Sequence, residues 1–424
     1  MQFQVGYAKQ DITPPAGVDL CGFGFYLQRK VTDRSEKLWC RAAYLASESG
    51  AVLLACCDLI GLSVADTDRL RKSLATQLGI PETHLFLACT HTHYGPATMT
   101  LEGLGAVDAD YMEALEQAIL DAALQAARNI QPATLRHGTR EVDGIAYNRH
   151  HKAEAPLDKQ LRALCCIRAQ DTVCLASFAC HPVSLGLEMG KTSADWPGAF
   201  AARLEARNIK PVVFQGCCGD VDPLARRDAP PDPQPEIRRY ATLLDDALVR
   251  IMDTAEPLES PSLSVRELRF DLPLALPEPA EIEASKVAWQ AHYEALAAGF
   301  DNIPNAARYL EHWAERARAA LPALQARPAL TQIPMQLLRI GPLELLGIPG
   351  EVFTEIGQRL QNSTSSRMLL GFCGGNVGYL PTREAYDAPF DYACYAAPKF
   401  YYCFPFHPNV ADEVETAAMR LFAE

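Results

Sequence analysis

The chain has 424 residues, of which 49% are hydrophobic and 21% are charged, as is usual for a soluble globular protein with a large core. Its formal net charge is −13 and it has no run of lysines or arginines, which argues against nucleic acid or an anionic membrane surface as a partner. Because its first residues lack the pattern of a signal peptide and no apolar run approaches the roughly 20 residues of a membrane helix, we expect a cytoplasmic protein without stable membrane insertion.

Short apolar runs alternate with helical patterns over the first 250 residues. Buried strands are predicted at "AVLLACCDL", "HLFLACTHTH", "LRALCCIRA", "TVCLASFACH" and "KPVVFQG". Apolar residues at three- and four-residue intervals predict helices over 66–78, 111–130 and 198–207. This alternation indicates a layered α/β core.

The pattern changes to two amphipathic helices between about 277 and 330. Apolar side chains share one face of each helix, namely Trp289, Tyr293 and Leu296 in the first and Leu310, Trp313, Ala317 and Leu321 in the second. We interpret this segment as a helical hairpin inserted into the α/β core. Strand signals resume at "IPMQLLRIGPLELLGIPGE", and no internal repeat appears. We therefore expect a single domain over 1–424.

Two of the chain's 10 histidines, His91 and His93, stand one residue apart at the end of a predicted strand, in "LACTHTHYGPA". On a strand, residues i and i+2 point to the same side, so both imidazoles would enter one space. His181 repeats the pattern in "LASFACHPVSLG", where a second apolar run ends in histidine. Zinc requires nitrogens that converge from rigid elements, so these strand ends are candidate ligand sites. Hydrogen-bonded structural histidines are the alternative interpretation.

Two further candidates follow later in the chain. Glu351 in "LLGIPGEVFTEIG" comes after a strand and would open a helix, where the helix dipole alone also favours an acidic residue. Tyr379 in "GGNVGYLPTREAY" lies in a glycine-rich loop, where core packing is the simpler explanation. Other acidic residues that follow strand-like runs could orient a histidine or cap a turn, namely Asp58, Asp195, Asp220 and Asp222.

Taken in order along nearly the whole chain, these motifs resemble those of the neutral/alkaline (non-lysosomal) ceramidase family. The matching segments are "GYAKQDITPP", "CTHTHYGP", "YNRHH", "FACHPVSL", "SADWPG", "GCCGDVDP", "IPGEVFTEIG" and "GYLPTREAY". The resemblance implies a zinc amidase with a mixed-sheet α/β catalytic domain.

The resemblance also implies roles for particular residues. It assigns Zn²⁺ to four ligands, His91, His181, Glu351 and Tyr379. It places three further residues around the scissile carbonyl: His93, Arg149 and a later tyrosine. Tyr395 in "DYACYAAP" best matches that tyrosine, with Tyr392 as the close alternative.

Three departures from the family bear on the substrate. Asp222 stands where ceramide-cleaving members have a serine with a catalytic role, and Tyr94 stands where they generally have serine. Family members also end in an immunoglobulin-like domain, for which these 424 residues leave no room. We therefore expect a small-molecule amide, ceramide-like or soluble, as substrate. Asp222 would then act in substrate recognition, for instance by contacting a cationic or hydroxylated leaving group.

Other functions remain open from the sequence. A metal-dependent esterase or lactonase would use the same activated water, because esters are cleaved more easily than amides. A non-catalytic binding protein with a vestigial zinc site is a further alternative. A binuclear phosphoesterase is disfavoured, because it would need a D-x-H pair that "CDL" does not supply.

Overall fold

Three β-sheets with helices on their outer faces form the framework of the protein. The computed structural model describes residues 3–150, 155–259, 261–296, 305–361 and 366–423. The predicted α/β class with mixed sheets is confirmed. No helix within these ranges combines the length and the hydrophobicity that crossing a bilayer requires.

The first sheet has five strands in the order β4-β3-β2-β1-β5. These strands are β1 (Gln4–Asp11), β2 (Trp39–Ser47), β3 (Gly50–Cys57), β4 (Leu85–Cys89) and β5 (Gln131–Pro132). Only β3 and β4 run parallel, and the other neighbours are antiparallel. The parallel pair carries the first histidine motif at its edge.

The second sheet has the order β10-β9-β8-β6. Its strands are β6 (Thr134–Glu141), β8 (Gln160–Ile167), β9 (Thr172–Phe178) and β10 (Ile209–Gln215). The pair β9 and β10 is parallel, and the rest of the sheet is antiparallel. Beside it, β7 (Ala146–Asn148) and β11 (Val221–Pro223) form a short antiparallel ribbon.

The third sheet has the order β12-β13-β14-β16. Its strands are β12 (Leu263–Pro273), β13 (Ala329–Ile340), β14 (Leu343–Gly347) and β16 (Arg367–Leu370). Two further short strands, β15 (Glu351–Val352) and β17 (Tyr379–Leu380), pair in parallel nearby.

Helices cover the outer faces of the three sheets. In the described ranges they are α1 (Val64–Leu78), α2 (Ala109–Arg128), α3 (Asp195–Ala206), α4 (Leu224–Asp228), α5 (Gln234–Thr254), α6 (Pro279–Leu296), α7 (Ala306–Ala326), α8 (Thr354–Gln361), α9 (Pro398–Tyr401) and α10 (Val410–Ala423). Local chemistry sets the start of α1, where the Ser63 side chain accepts from the Asp66 N–H, and its end, where Gly79 has a φ of 68°.

Burial follows the layers. The inner faces of the three sheets share one apolar core, which contains Val5, Leu54, Phe86, Leu175, Phe214, Leu338 and Leu345. Helices α1 and α2 pack on the outer face of the first sheet, while α3 and α5 pack on that of the second. The hairpin α6–α7 and the C-terminal segment cover the third sheet. The hairpin predicted for 277–330 is therefore present, on the outer side of the third sheet.

The predicted strands correspond to β3, β4, β8, β9 and β10, and the predicted helices to α1, α2 and α3. Two local expectations differ. β4 ends at Cys89, so neither His91 nor His93 lies on the strand. Glu351 does not open a helix but lies in β15, and α8 begins three residues later. The reason is a non-local contact, in which the Glu351 N–H donates to the Gly378 carbonyl at 2.8 Å.

Candidate metal centre and active site

His91 and His93 lie in the turn that follows β4 and leads away from the sheet edge. His91 has a φ of 65°, in the left-handed region that non-glycine residues rarely adopt. Its N–H donates to the Leu59 carbonyl at 2.9 Å, and its ring stacks on Phe372 with centroids 4.0 Å apart. The two imidazoles do converge, with centroids 4.9 Å apart, but through this turn and not through strand alternation.

Each of three histidine rings is held by a backbone carbonyl at its Nδ1 atom. The partners are Ile60 for His91 at 2.6 Å, Gly22 for His93 at 2.8 Å and Val221 for His181 at 3.1 Å. Because a carbonyl oxygen only accepts hydrogen bonds, each Nδ1 carries the proton and each Nε2 presents a lone pair. This is the arrangement by which histidine ligands are oriented at metal centres.

Glycine is required at position 22 for this support. Its φ is +116°, and a Cβ atom built there would lie 2.7 Å from the ring of His93. Any other residue would push the carbonyl and the imidazole apart. The loop before β2 therefore reaches back to hold a residue that follows β4.

The three Nε2 atoms point at one another and at Glu351. Nε2 of His91 lies 3.3 Å from Nε2 of His93, and Oε2 of Glu351 lies 3.3 Å from Nε2 of His91 and 3.2 Å from that of His181. His91, His93 and His181 form a group whose ligand atoms all lie within 4.8 Å of one another. Lone pairs of neutral imidazoles repel at such distances unless a cation lies between them. The donor set of nitrogen and carboxylate oxygen therefore fits a divalent metal ion.

The electrostatics favour neutral imidazoles facing a charged carboxylate. Burial lowers the pKa of His91 and lowers that of His93 well below its ordinary value. Burial alone would raise the pKa of Glu351, but His91 and His181 hold it well below its usual range. Neutral nitrogen and ionised oxygen are the protonation states in which these side chains bind a metal.

Tyr401 contacts the other oxygen of Glu351. Its hydroxyl donates to Oε1 of Glu351 at 2.7 Å and accepts from Nδ2 of Asn376 at 3.1 Å. Burial, followed by the charge of Glu351, raises the pKa of Tyr401 well above its ordinary value, so the hydroxyl keeps its proton. This bond leaves Oε2 facing the histidines. Sequence reasoning missed Tyr401, and the only local signal was the density of aromatic residues in the last 50 positions.

Tyr379 lies beside Glu351, as the family resemblance requires. The two residues are directly paired in the parallel register of β15 and β17, and the ring of Tyr379 stacks over that of His181 with centroids 6.4 Å apart. Its hydroxyl accepts from Nη2 of Arg149 at 3.0 Å. Burial raises the pKa of Tyr379 well above its ordinary value. The phenol therefore adjoins the histidine–glutamate group, and metal ligation by it stays a prediction.

Arg149 connects Tyr379 to Asp222. Its Nη1 lies 3.2 Å from Oδ1 of Asp222, and its Nη2 also donates to the Gly219 carbonyl at 2.7 Å. The same Oδ1 is 3.9 Å from Nδ1 of His181. Although burial lowers the pKa of Arg149, Tyr379 and Asp222 raise it well above its ordinary value, so the guanidinium remains charged.

Tyr395 is not brought to this group. Its hydroxyl donates to the Tyr386 carbonyl at 2.8 Å, and its ring lies 5.9 Å from that of Tyr386. Tyr392 lies there instead, with its ring 5.7 Å from that of Tyr379 and 5.8 Å from Cζ of Arg149. The two tyrosines are three residues apart on a single π-helical turn, Tyr392–Ala396, and their rings contact different neighbours, Tyr379 and Tyr386 respectively. The geometry therefore favours the alternative match, Tyr392.

The remaining acidic candidates have structural partners. Asp58 accepts from Nη1 of Arg41 at 2.8 Å, and Asp195 accepts from the N–H and the hydroxyl of Ser184 at 2.7 Å each. Asp220 accepts from the N–H and the hydroxyl of Thr354 at 2.7 and 2.8 Å. These three carboxylates link loops to strand β2 and to the first residues of α3 and α8, and of the four candidates Asp222 is the one that contacts a side chain of the site, that of Arg149.

The chain matches a family model and solved structures. The family model described as neutral/alkaline non-lysosomal ceramidase, N-terminal, matches residues 3–216, half of the chain. The neutral ceramidase from Pseudomonas aeruginosa matches with a TM-score of 0.73 and 18% identity, over 100% of this chain and 73% of that chain. A structure described as a ceramidase complexed with C2 matches equally, over 100% and 76%. No curated protein matches the sequence significantly. At this identity the structural likeness shows the fold.

Proposed function

Since the chain belongs to the neutral/alkaline non-lysosomal ceramidase family, which indicates a hydrolase, we propose that it is a zinc-dependent amidohydrolase that cleaves the C–N bond of small, linear N-acyl substrates. One observation carries the proposal: the Nε2 atoms of His91, His93 and His181 and Oε2 of Glu351 converge, with each imidazole fixed at Nδ1 by a carbonyl. An ion held there would polarise the amide carbonyl and lower the pKa of a water molecule towards about 7.

Within the group, we assign metal binding to His91, His181, Glu351 and Tyr379. His91 and His181 are each 1% exposed, whereas the side chain of His93 is only partly buried. His93 is therefore the histidine that a substrate can reach. Its neutral Nε2 accepts the proton of the attacking water and returns it to the leaving nitrogen, which is the task of a general base and acid.

Arg149 supplies positive charge beside this position. Its guanidinium has five N–H donors, more than its contacts with Asp222, Gly219 and Tyr379 use. It can therefore stabilise the oxygen that becomes negative in the tetrahedral intermediate. Tyr392, at the mouth of the site with its ring half exposed, is placed to contact the same oxygen or the substrate chain.

Short soluble amides fit this site better than long-chain ceramide. Asp222, at the position of the family's serine, is paired with Arg149 and presents a charged group to the substrate. Tyr94 is fully buried, and its hydroxyl donates to the Gly186 carbonyl at 3.1 Å, so it fills space beside His93. Asp222 makes the surroundings of the scissile bond polar, and Tyr94 makes them narrow.

The test combines metal analysis with a substrate panel. The purified chain should hold about one zinc per molecule, lose activity to a chelator and regain it with Zn²⁺. The panel should contain short N-acyl amides, the matching esters and a long-chain ceramide. Turnover of esters alone would indicate an esterase, and zinc binding without any turnover would indicate a binding protein. Ceramide cleaved much faster than short amides would contradict the substrate class.

His93→Ala separates the two roles open to that residue. If His93 acts on protons, the variant keeps its zinc and loses kcat by about 10²- to 10⁴-fold. Loss of zinc in this variant would instead show that His93 is a metal ligand, and another residue would then have to carry out the proton transfer.

A further inference from the structure

Arg226 brings an unpaired positive charge to the rim of the site. It follows Asp222 by four residues, on α4, and its side chain is exposed. It forms no ion pair with the residues that the structure describes, whereas its neighbour Arg227 pairs with Asp228 at 2.8 Å. An exposed arginine without a carboxylate partner is available to a ligand.

A single aromatic ring separates this charge from His93. Cζ of Arg226 lies 5.7 Å from the centroid of Phe23, and the ring of Phe23 lies 5.2 Å from that of His93. Asp222, four residues before Arg226, is paired with Arg149, whose Cζ lies 5.8 Å from the centroid of the half-exposed Tyr392 ring. Arg226 therefore faces the substrate side of His93.

Two other guanidinium groups lie in this part of the site, one beside Phe23 and one beside Tyr379. Arg29, 3% exposed, lies with Cζ 5.0 Å from the Phe23 ring, and its hydrogen bonds go to the neutral carbonyls of His93, Cys21 and Glu188. The second is Arg149, with Cζ 5.4 Å from the centroid of the Tyr379 ring. Asp222 is already paired with Arg149, so it does not offset the charges of Arg29 and Arg226. This arrangement reverses the expectation that Asp222 would select a cationic leaving group.

We propose that Arg226 recognises an anionic group on the substrate, and that the preferred class is N-acyl amino acids, amides whose leaving amine carries a free carboxylate. This inference rests on the proposed amide hydrolysis. The amine half is assigned because only the ring of Phe23 lies between Arg226 and His93, the residue to which we assign proton delivery to the leaving nitrogen. A guanidinium matches a carboxylate in geometry and charge, and such contacts are stronger than neutral hydrogen bonds.

The test compares three substrates on the metal-loaded enzyme. They are an N-acetyl amino acid, its carboxamide, which removes only the charge, and an N-succinyl amine, which moves the carboxylate to the acyl half. We expect kcat/KM for the first to exceed that for the carboxamide by about 10- to 100-fold, the size of one charge-assisted hydrogen bond. Arg226→Gln should bring the first two within about twofold of each other, mainly through KM, and Arg227→Gln should preserve the wild-type preference.

Each result supports or overturns the inference. Equal turnover of acid and carboxamide by the wild type would overturn it while leaving amide hydrolysis intact. Faster cleavage of the N-succinyl amine would overturn the assignment to the amine half. If no amide is cleaved, the proposed function fails. Calorimetric binding of the N-acetyl amino acid to the zinc-loaded protein then decides separately whether Arg226 recognises a carboxylate. Binding weakened by Arg226→Gln but not by Arg227→Gln supports recognition, and equal binding to all three proteins overturns it.

Discussion

The histidines of the site and its tyrosines are held in place by different kinds of contact. His91, His93 and His181 follow strand ends or the turn after one, and backbone carbonyls fix each ring. Tyr392 and Tyr401 come from the segment 391–403, which has a π-helical turn and the short helix α9 but no strand. The histidines are thus positioned by the backbone at the sheet edges, and Tyr392 and Tyr401 by contacts with other side chains.

The hairpin α6–α7 supplies much of that packing. The Lys399 ammonium lies over the rings of Trp289 and Trp313, 4.5 and 4.6 Å from their centroids, and donates to the Tyr395 carbonyl at 2.7 Å. Nε1 of Trp313 donates to the Cys403 carbonyl at 2.8 Å. We therefore expect substitution of the histidines at the sheet edges to abolish the proposed metal binding, and substitutions in the C-terminal segment to have smaller effects on metal affinity and turnover.

The largest effect on activity should come from substituting a histidine that follows a strand end. His181→Ala removes one of the fixed nitrogens, so zinc should be lost and activity should fall at least about 1,000-fold because the chemistry depends on the ion. Zinc content and amide hydrolysis measure both. His84→Ala is the matched control, since Nδ1 of His84 also contacts a carbonyl, that of Ala51 at 2.7 Å, outside the site. Full zinc in the His181 variant would remove this residue from the ligand set.

A smaller effect on activity is expected at Tyr379, which contacts both His181 at the sheet edge and the segment 391–403. Two histidines and Glu351 remain in Tyr379→Phe, so the variant should keep most of its zinc. Loss of the hydroxyl that accepts from Arg149 should lower kcat by about 100-fold with little change in KM. Zinc analysis and steady-state kinetics measure the two quantities. A kcat near that of the wild type would mean that Tyr379 is only a packing residue.

Tyr401→Phe should act more weakly, through Glu351. It removes the hydrogen bond to Oε1, and loss of such an orienting contact lowers metal affinity or activity by about 10- to 100-fold. Zinc affinity from a competitive chelator titration, together with kcat, would measure the change. Tyr395→Phe is the control, because the Tyr395 hydroxyl contacts only the Tyr386 carbonyl. Equal effects of the two substitutions would contradict the claim that Tyr401 supports Glu351 and Tyr395 does not.

Substitution of Lys399 should have the smallest effect on activity. Its effect on the free energy of unfolding should depend on pH. Burial lowers its pKa to about 7, well below that of lysine in the unfolded chain. Between pH 7 and about 10.4 the unfolded chain binds a proton that the folded chain does not, so stability rises with pH over that interval. Below pH 7 the folded chain must bury a charged amine.

Lys399→Met should therefore raise the melting temperature more at pH 6 than at pH 9. Thermal unfolding at the two pH values measures the difference. Lys286→Met, in the hairpin helix α6 that packs against this segment, is the control, because Lys286 is ion-paired with Glu283 and Glu311 and its pKa is raised, so its charge is constant over this range. A gain that is equal at both pH values would show that Lys399 keeps its charge through the Trp289 and Trp313 contacts.

Several features of the site follow from local sequence. The apolar runs before "THTH" and "HPVSL" form the buried strands β4 and β9, and such runs place the residues that follow them at a sheet edge. The residues that the family motifs indicated as ligands, His91, His181, Glu351 and Tyr379, are side by side in the structure. The helical hairpin was equally predictable, because its apolar spacing is a property of the segment alone.

Other features depend on contacts between distant segments. The Glu351 motif looked like a helix start, yet pairing with Tyr379 made it a strand. The positive φ of His91 and the carbonyl of Gly22 that holds His93 leave no periodic signal in the sequence. The position of Arg226 beside Phe23 likewise joins residues about 200 positions apart.

The sequence by itself determined the apolar strands β3, β4, β8, β9 and β10, the amphipathic helices and the residue types at the strand ends, because hydrophobic spacing and side-chain chemistry are local. Only the tertiary structure decided that Tyr392 and Tyr401 enter the site while Tyr395 does not. All three belong to one aromatic segment, and their spacing sets only their relative directions. Which direction faces the metal centre depends on how the hairpin and the third sheet orient that segment, since the free energy of burying its apolar side chains is a sum over contacts with both.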